Sequence, residues 1–304
     1  MGQATAVTTG LGSGSEQELA DALIMGEEGI YGFLITEADG TVVASHNSTL
    51  PFQSASLYKL VLMADILNRI EMGMLSLDDE LVLSWDVFDE DGDMYFGYQD
   101  VGYSFTIDEY LLATGAYSSN VGARTLLALV DTNSLQAIAS SVGMTQTAFF
   151  VYPSEGYDWD AVTDTDVDPH DLAETESYLT WEEQSGSLIL TTAADMVAYL
   201  RALNDSTLVS EWVSEQIWTI LSQQAVVDRI PYLLPDGVTS INKTGNFDDV
   251  VNDVGIIYLQ MGVRIVALLS QEVPDSDRAT QILQRLALIA TGETQIPPLM
   301  EYGW

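Results

Sequence analysis

The strand-forming runs of this 304-residue chain lie near its two ends with a helical block between them, so a sheet can form only by bringing the termini together. Residues 30–35 are apolar and β-rich, Ala38-Asp39-Gly40 is a turn signal, and 41–44 resume an extended pattern, which predicts a hairpin. Near the other end 239–243, 254–259 and 263–269 read as strands, followed by a helix over 275–290. Ahead of the hairpin, Ser15 with Glu18 three residues on is a capping-box signature for a helix that begins LADALI. Between the ends, helices are predicted from Ser56 onward, near 107–114, 120–129 and 134–141, and over 192–203 and 210–221. The helix after Ser56 is apolar on most faces, as in a helix buried inside the protein. Residues 86–103 are polar and rich in Asp and Tyr, and 152–188 are acidic and irregular, with Pro153 and Pro169.

The expected fold class is α/β (α+β), an antiparallel sheet flanked by helices plus an all-helical domain. Its parts are a flexible tail over 1–14, a sheet domain made of 15–60 with 204–304, and a helical domain over 61–203 that includes a long acidic loop at 152–190. The chain is long enough, and at 47% hydrophobic residues apolar enough, to bury a full core. No apolar run reaches the length of a membrane span. The segment 1–14 has neither a cationic nor an apolar region, so no signal peptide is expected in it.

Charge and cysteine count remove whole classes of function. With 46 acidic against 9 basic residues the formal net charge is -37, and both nucleic acid and anionic membrane need a cationic footprint that such a surface does not offer. The absence of cysteine excludes disulfides, thiolate metal sites and a cysteine nucleophile.

The chain has two lysines, and each completes a catalytic signature. Lys59 closes Ser56-Leu57-Tyr58-Lys59, and Lys243 opens Lys243-Thr244-Gly245; between them lies the S-x-N triplet Ser118-Ser119-Asn120. S-x-x-K alone is weak evidence, but K-T-G drawn from so few lysines is rare. Three residues apart on a helix, Ser56 and Lys59 share a face, so the amine can reach the hydroxyl. A serine at a helix start also sits near free N–H groups and the positive end of the dipole. Lysine serves as a base only with its pKa lowered, and burial together with a second cation, here Lys243, acts in that direction. Ser118 is expected to pass a proton to the leaving group and Asn120 to hold a substrate amide. Lys243 and Thr244 are expected to bind an anionic carboxylate, with Gly245 completing the strand that lines the cleft.

These three motifs, in this order, resemble those of the serine penicillin-recognising hydrolases, class A β-lactamases above all, over roughly residues 18 to 290. The resemblance implies the fold described above, with the active site at the junction of its two parts and a β-lactam ring opened through an acyl-enzyme on Ser56. It implies an oxyanion hole made by the backbone N–H groups of Ser56 and Asn246, and a carboxylate-holding role for Arg229, fourteen residues before Lys243. It also implies a protein acting outside the cytoplasm. The expected partner is a small-molecule substrate, a β-lactam or else an ester or peptide, with no cofactor, no nucleic acid and a monomeric chain.

The resemblance weakens at deacylation. Class A enzymes use a glutamate in an E-x-x-L-N motif to activate the hydrolytic water, and that motif is absent. Glu155 falls about where the glutamate belongs, counting from Asn120; Glu174 and Glu176 are lesser candidates. Three readings remain open: a β-lactamase, a carboxylesterase or D-alanyl-D-alanine peptidase with the same acylation apparatus, and a penicillin-binding sensor that stays acylated. His46 and His170 have no metal-ligand spacing and form no triad with a G-x-S-x-G elbow. The run Asp86, Asp89, Glu90, Asp91, Asp93 does not fit an EF-hand and is read as a solvated loop.

A surface this acidic repels itself, and at ~1 M salt, where the Debye length is about 3 Å, most of that penalty is gone, so a salt-adapted protein is expected. The unfolding midpoint should therefore rise steeply between dilute buffer and ~1 M NaCl; equal midpoints would remove this expectation.

Overall fold

The computed structural model describes residues 15–88, 92–151, 188–260 and 262–300. The chain runs α1 (Glu16–Ile24), β1 (Ile30–Glu37), β2 (Val42–His46) and β3 (Phe52–Gln53), then a 3-10 turn (Ala55–Tyr58) that passes directly into α2 (Lys59–Glu71). Next come β4 (Glu80–Val82), β5 (Ser104–Thr106), α3 (Ile107–Ala116), α4 (Asn120–Leu127), α5 (Thr132–Ser141), β6 (Ala148–Val151) and β7 (Leu188–Thr191). The last third holds α6 (Ala193–Asn204), α7 (Glu211–Leu221), β8 (Thr239–Phe247), β9 (Val250–Leu259), β10 (Gly262–Gln271) and α8 (Ser276–Ile289).

The two ends of the chain do share one sheet, antiparallel at every pairing, in the order β2-β1-β10-β9-β8. Strand β1 enters beside β10 in unbroken register from Ile30↔Gln271 to Glu37↔Arg264. Both faces of this sheet are covered. In β10, Ile265, Ala267 and Leu269 point into a core shared with the helical block, whereas Val266 and Leu268 point into a second core with α1 and α8. That two-sided burial explains why the strand reads as a continuous apolar run and not as an alternation.

Helix starts follow local chemistry. Among the described residues, seven of the eight α-helices begin on a Ser, Thr or Asp cap whose side chain accepts a backbone N–H: Ser15, Thr106, Ser119, Asp131, Thr192, Ser210 and Asp275. Each such cap is worth about 1 kcal/mol. Helix α2 is the exception, because it continues from the 3-10 turn that carries Ser56 and so has no side-chain cap. Its residues Lys59 to Leu67 are all buried, and the Tyr199 hydroxyl of α6 donates to the Leu60 carbonyl at 2.7 Å. Helix α6 packs on β1 and β10 as well as on α7.

Two small sheets were not foreseen. Strands β3, β7 and β6 form one, and β4 with β5 the other. Their strands of two to four residues are too short for a period of two to show in a sequence. Strand β7 begins at Leu188, inside the stretch read as an irregular acidic loop; most of that loop lies outside the described residues. The small sheet matters for position, since the Ser54 N–H donates to the Ile189 carbonyl at 2.7 Å.

Candidate active site

Ser56 lies where the two parts of the fold meet, half-buried in the turn between β3 and α2. The sequence reading placed it in the first turn of an α-helix; the structure places it in a 3-10 turn that precedes Lys59. The reason is a left-handed backbone at Ala55 (φ 45), which turns the chain sharply out of β3. For a non-glycine residue this conformation costs roughly 1–2 kcal/mol. Sheet side chains hold the turn in place: Asn252 Nδ2 donates to the carbonyls of Gln53 at 2.9 Å and Ser54 at 3.5 Å, while Gln271 Oε1 accepts from the Gln53 N–H at 3.2 Å.

Both lysines are fully buried, and both end on Ser118. Lys59 Nζ donates to the Ser118 carbonyl at 2.6 Å and to Asn120 Oδ1 at 2.7 Å. Lys243 Nζ donates to Ser118 Oγ at 2.8 Å and to the Thr244 carbonyl at 2.8 Å. A lysine offers only donors, so Asn120 turns its amide oxygen to Lys59 and keeps its N–H groups for another acceptor. Ser118 has a left-handed backbone (φ 56), and this lets its carbonyl and its hydroxyl reach lysines from two different elements, α2 and β8.

The K-T-G segment is part of β8, pressed against the nucleophile turn. A Cβ at Gly245 would stand 2.8 Å from the Ser54 carbonyl oxygen and 3.2 Å from the Ser56 nitrogen, so only glycine fits without displacing the turn. Thr244 is buried and Asn246 exposed at the strand's end. Behind this strand, on the other sheet face, Asp253 accepts from Asn242 Nδ2 at 2.9 Å and from the Ile230 N–H at 2.9 Å. Arg229 is buried beside it and donates to the Asn252 carbonyl at 3.3 Å.

Burial pushes the Lys243 amine down to about 7; Asp253 opposes this shift and the Arg229 cation adds to it. Burial likewise pushes Asp253 up to about 6, against the pull of Arg229 and of the hydrogen bond from Asn242. Lys243 is thus divided between amine and ammonium near neutral pH, and can both accept and return a proton through Ser118.

The structure therefore brings Ser56, Lys59, Ser118, Asn120, Lys243, Thr244 and Gly245 to one junction. Arg229 lies beside Asp253, the cross-strand partner of Thr244, and Glu155, Glu174, Glu176 and His170 lie outside the described residues. His46 is in β2, stacked on Phe33 with ring centroids 5.9 Å apart. Two polar residues were missed. Asn252 supports the nucleophile turn, and Asp93, read as part of a solvated acidic loop, instead accepts from Ser119 Oγ at 2.8 Å. Neither belongs to a motif, and only their partners in the fold reveal them.

A sheet built from both termini, a helical block, and an S-x-x-K serine at their junction define the penicillin-recognising serine class. The chain belongs to the Beta-lactamase enzyme family, whose profile matches residues 15–293. Among solved structures it is similar to a β-lactamase from Sphaerobacter thermophilus, at 23% identity over 93% of this chain and 96% of that one, with a TM-score of 0.71. It is also similar to PBP-A, at 16% identity over 91% and 94% of the two chains, with a TM-score of 0.73. A variant of PBP-A described as an acyl-enzyme complex with penicillin G is similar at 15% identity over 91% and 94%, with a TM-score of 0.72. No curated protein sequence matches the chain.

The low Lys243 value has a consequence for stability. Its ordinary value is 10.5 and its folded value about 7, so between these the unfolded chain holds more protons and the Lys243 contribution to stability rises with pH. Replacing Lys243 with Met should remove that rise. The stability gained by the Met variant over the parent, on the order of a few kcal/mol near pH 7, should shrink towards pH 10. Paired urea melts across this range test it, and a pH-independent difference would contradict the assignment.

Proposed function

We propose that the protein is a serine hydrolase that opens β-lactam rings through an acyl-enzyme on Ser56. The observation that carries this reading is the convergence of Lys59 and Lys243 on Ser118, Lys59 on its carbonyl and Lys243 on its hydroxyl, which gathers both amines around the one hydroxyl that can hand a proton to a leaving group. In the proposed reaction Ser56 Oγ attacks the lactam carbonyl as its proton passes to Lys59. The developing oxyanion is met by the backbone N–H groups of Ser56 and Asn246. The C–N bond then breaks, and the nitrogen takes the Ser118 hydroxyl proton, which Lys243 or Lys59 replaces. Asn120 offers its amide N–H to a substrate carbonyl, and Lys243 as ammonium, with Thr244, binds the substrate carboxylate. Water releases the acyl group in a second step, for which Glu155 is the proposed base.

One feature of the sequence favours a second reading, a protein that acylates and keeps the acyl group: E-x-x-L-N is absent. Acylation and release are separate steps, so a chain can retain the first without the second.

Nitrocefin hydrolysis at high salt, followed by intact-protein mass spectrometry of the same mixture, separates these readings. Turnover without a lasting adduct, lost in Ser56→Ala, is the expected result. A stoichiometric adduct that persists on Ser56 would transfer the assignment to the acyl-retaining protein. Neither turnover nor adduct would remove both and leave ester or peptide substrates.

A further inference from the structure

The carboxylate of Asp93 is saturated with donors from two segments. Oδ2 accepts from Ser119 Oγ at 2.8 Å and from the Val121 N–H at 3.1 Å; Oδ1 accepts from the Tyr95 N–H at 2.9 Å and the Phe96 N–H at 3.0 Å. The first pair of donors flanks Asn120. The second pair belongs to the loop that brings the Tyr95 ring to Tyr117, 5.0 Å between centroids and adjacent to Ser118.

Ser119 has two tasks at once. Its oxygen accepts from the Gly122 N–H at 2.8 Å and so caps α4, while its own proton goes to Asp93. That proton fixes the hydroxyl's direction, and with it the first turn of α4. On one side of Ser119 is Ser118 in its left-handed conformation (φ 56), and on the other is Asn120, which meets Lys59. Neither the strained backbone nor a single cap holds such a junction alone, and a carboxylate that accepts from both sides of Asn120 supplies what is lacking.

We infer that Asp93 is a positioning residue for acylation, one that keeps Ser118 and Asn120 aligned with Lys59 and Lys243 through Ser119 and Val121. The requirement is for a carboxylate and not merely for a polar side chain. Asparagine keeps one acceptor atom but replaces the other with an N–H₂ group that would face donors. The inference rests on the proposed acylation of Ser56 for its kinetic readout, though not for its structural one.

The test uses the full chain and a fluorescent penicillin as probe. Asp93→Asn, nearly isosteric and expected to fold, should label Ser56 about 10- to 100-fold more slowly than the parent, the scale of loss that small misplacements cause. The probe's binding constant should change far less than its acylation rate, a split that general loosening of the fold would not produce. Ser119→Asp in the Asp93→Ala background should recover most of the rate, because an aspartate at this cap position can accept from Val121 and Gly122 itself. Amide hydrogen exchange at Val121 and Gly122, measured without any probe, should be faster in Asp93→Asn. Labelling at the parental rate, or unchanged exchange at these two amides, would overturn the inference. Should the parent itself not react with penicillin, the proposed function fails, and the exchange measurement still decides the role of Asp93.

Discussion

Ser118 is held from both ends, its carbonyl by Lys59 and its hydroxyl by Lys243, and the rest of the site is arranged around that grip. Lys59 opens α2, Lys243 comes from β8, and Ser118 joins α3 to α4. One side chain therefore comes from the sheet built by the chain termini and one from the helical block, and they meet at a single residue. The left-handed backbone of Ser118 is what allows one residue to present two acceptors in two directions.

Two fully buried lysines in one small region are expensive to protonate, since burial penalises every charge that is not well partnered. The protein meets this in two ways. Each lysine is given oxygen acceptors within 2.8 Å, and the Asp253 carboxylate, held by Asn242, lies behind Lys243 and favours its charged form. Burial still prevails over these partners and holds the Lys243 amine down at about 7. In a chain of net charge -37 that keeps two lysines, both at this junction, their retention reflects chemistry more than surface composition.

The large elements were legible from the sequence because each carried its own local signal. The Ser15 capping box, the Asp39-Gly40 turn and the apolar runs of β9 and β10 lead directly to the observed sheet. The motif residues were legible because Ser56, Lys59, Ser118, Asn120 and Lys243 stand at short, fixed spacings. What supports them was not. Asn252 reaches Gln53 across 199 residues, and Asp93 reaches Ser119 across 26, so neither contact leaves a local pattern. The 3-10 turn at Ser56 also escaped notice, because it depends on the left-handed Ala55 and on the pressure of Gly245 from a distant strand.

Because the chain has two lysines, a protein labelled with ¹⁵N-lysine gives two side-chain amine signals, and the grip on Ser118 can be read directly. The account predicts that the Lys243 signal titrates near pH 7, and that its midpoint moves in Ser118→Ala, where the hydroxyl partner is gone. A Lys243 signal that titrates near its ordinary 10.5, or one indifferent to Ser118→Ala, would contradict it.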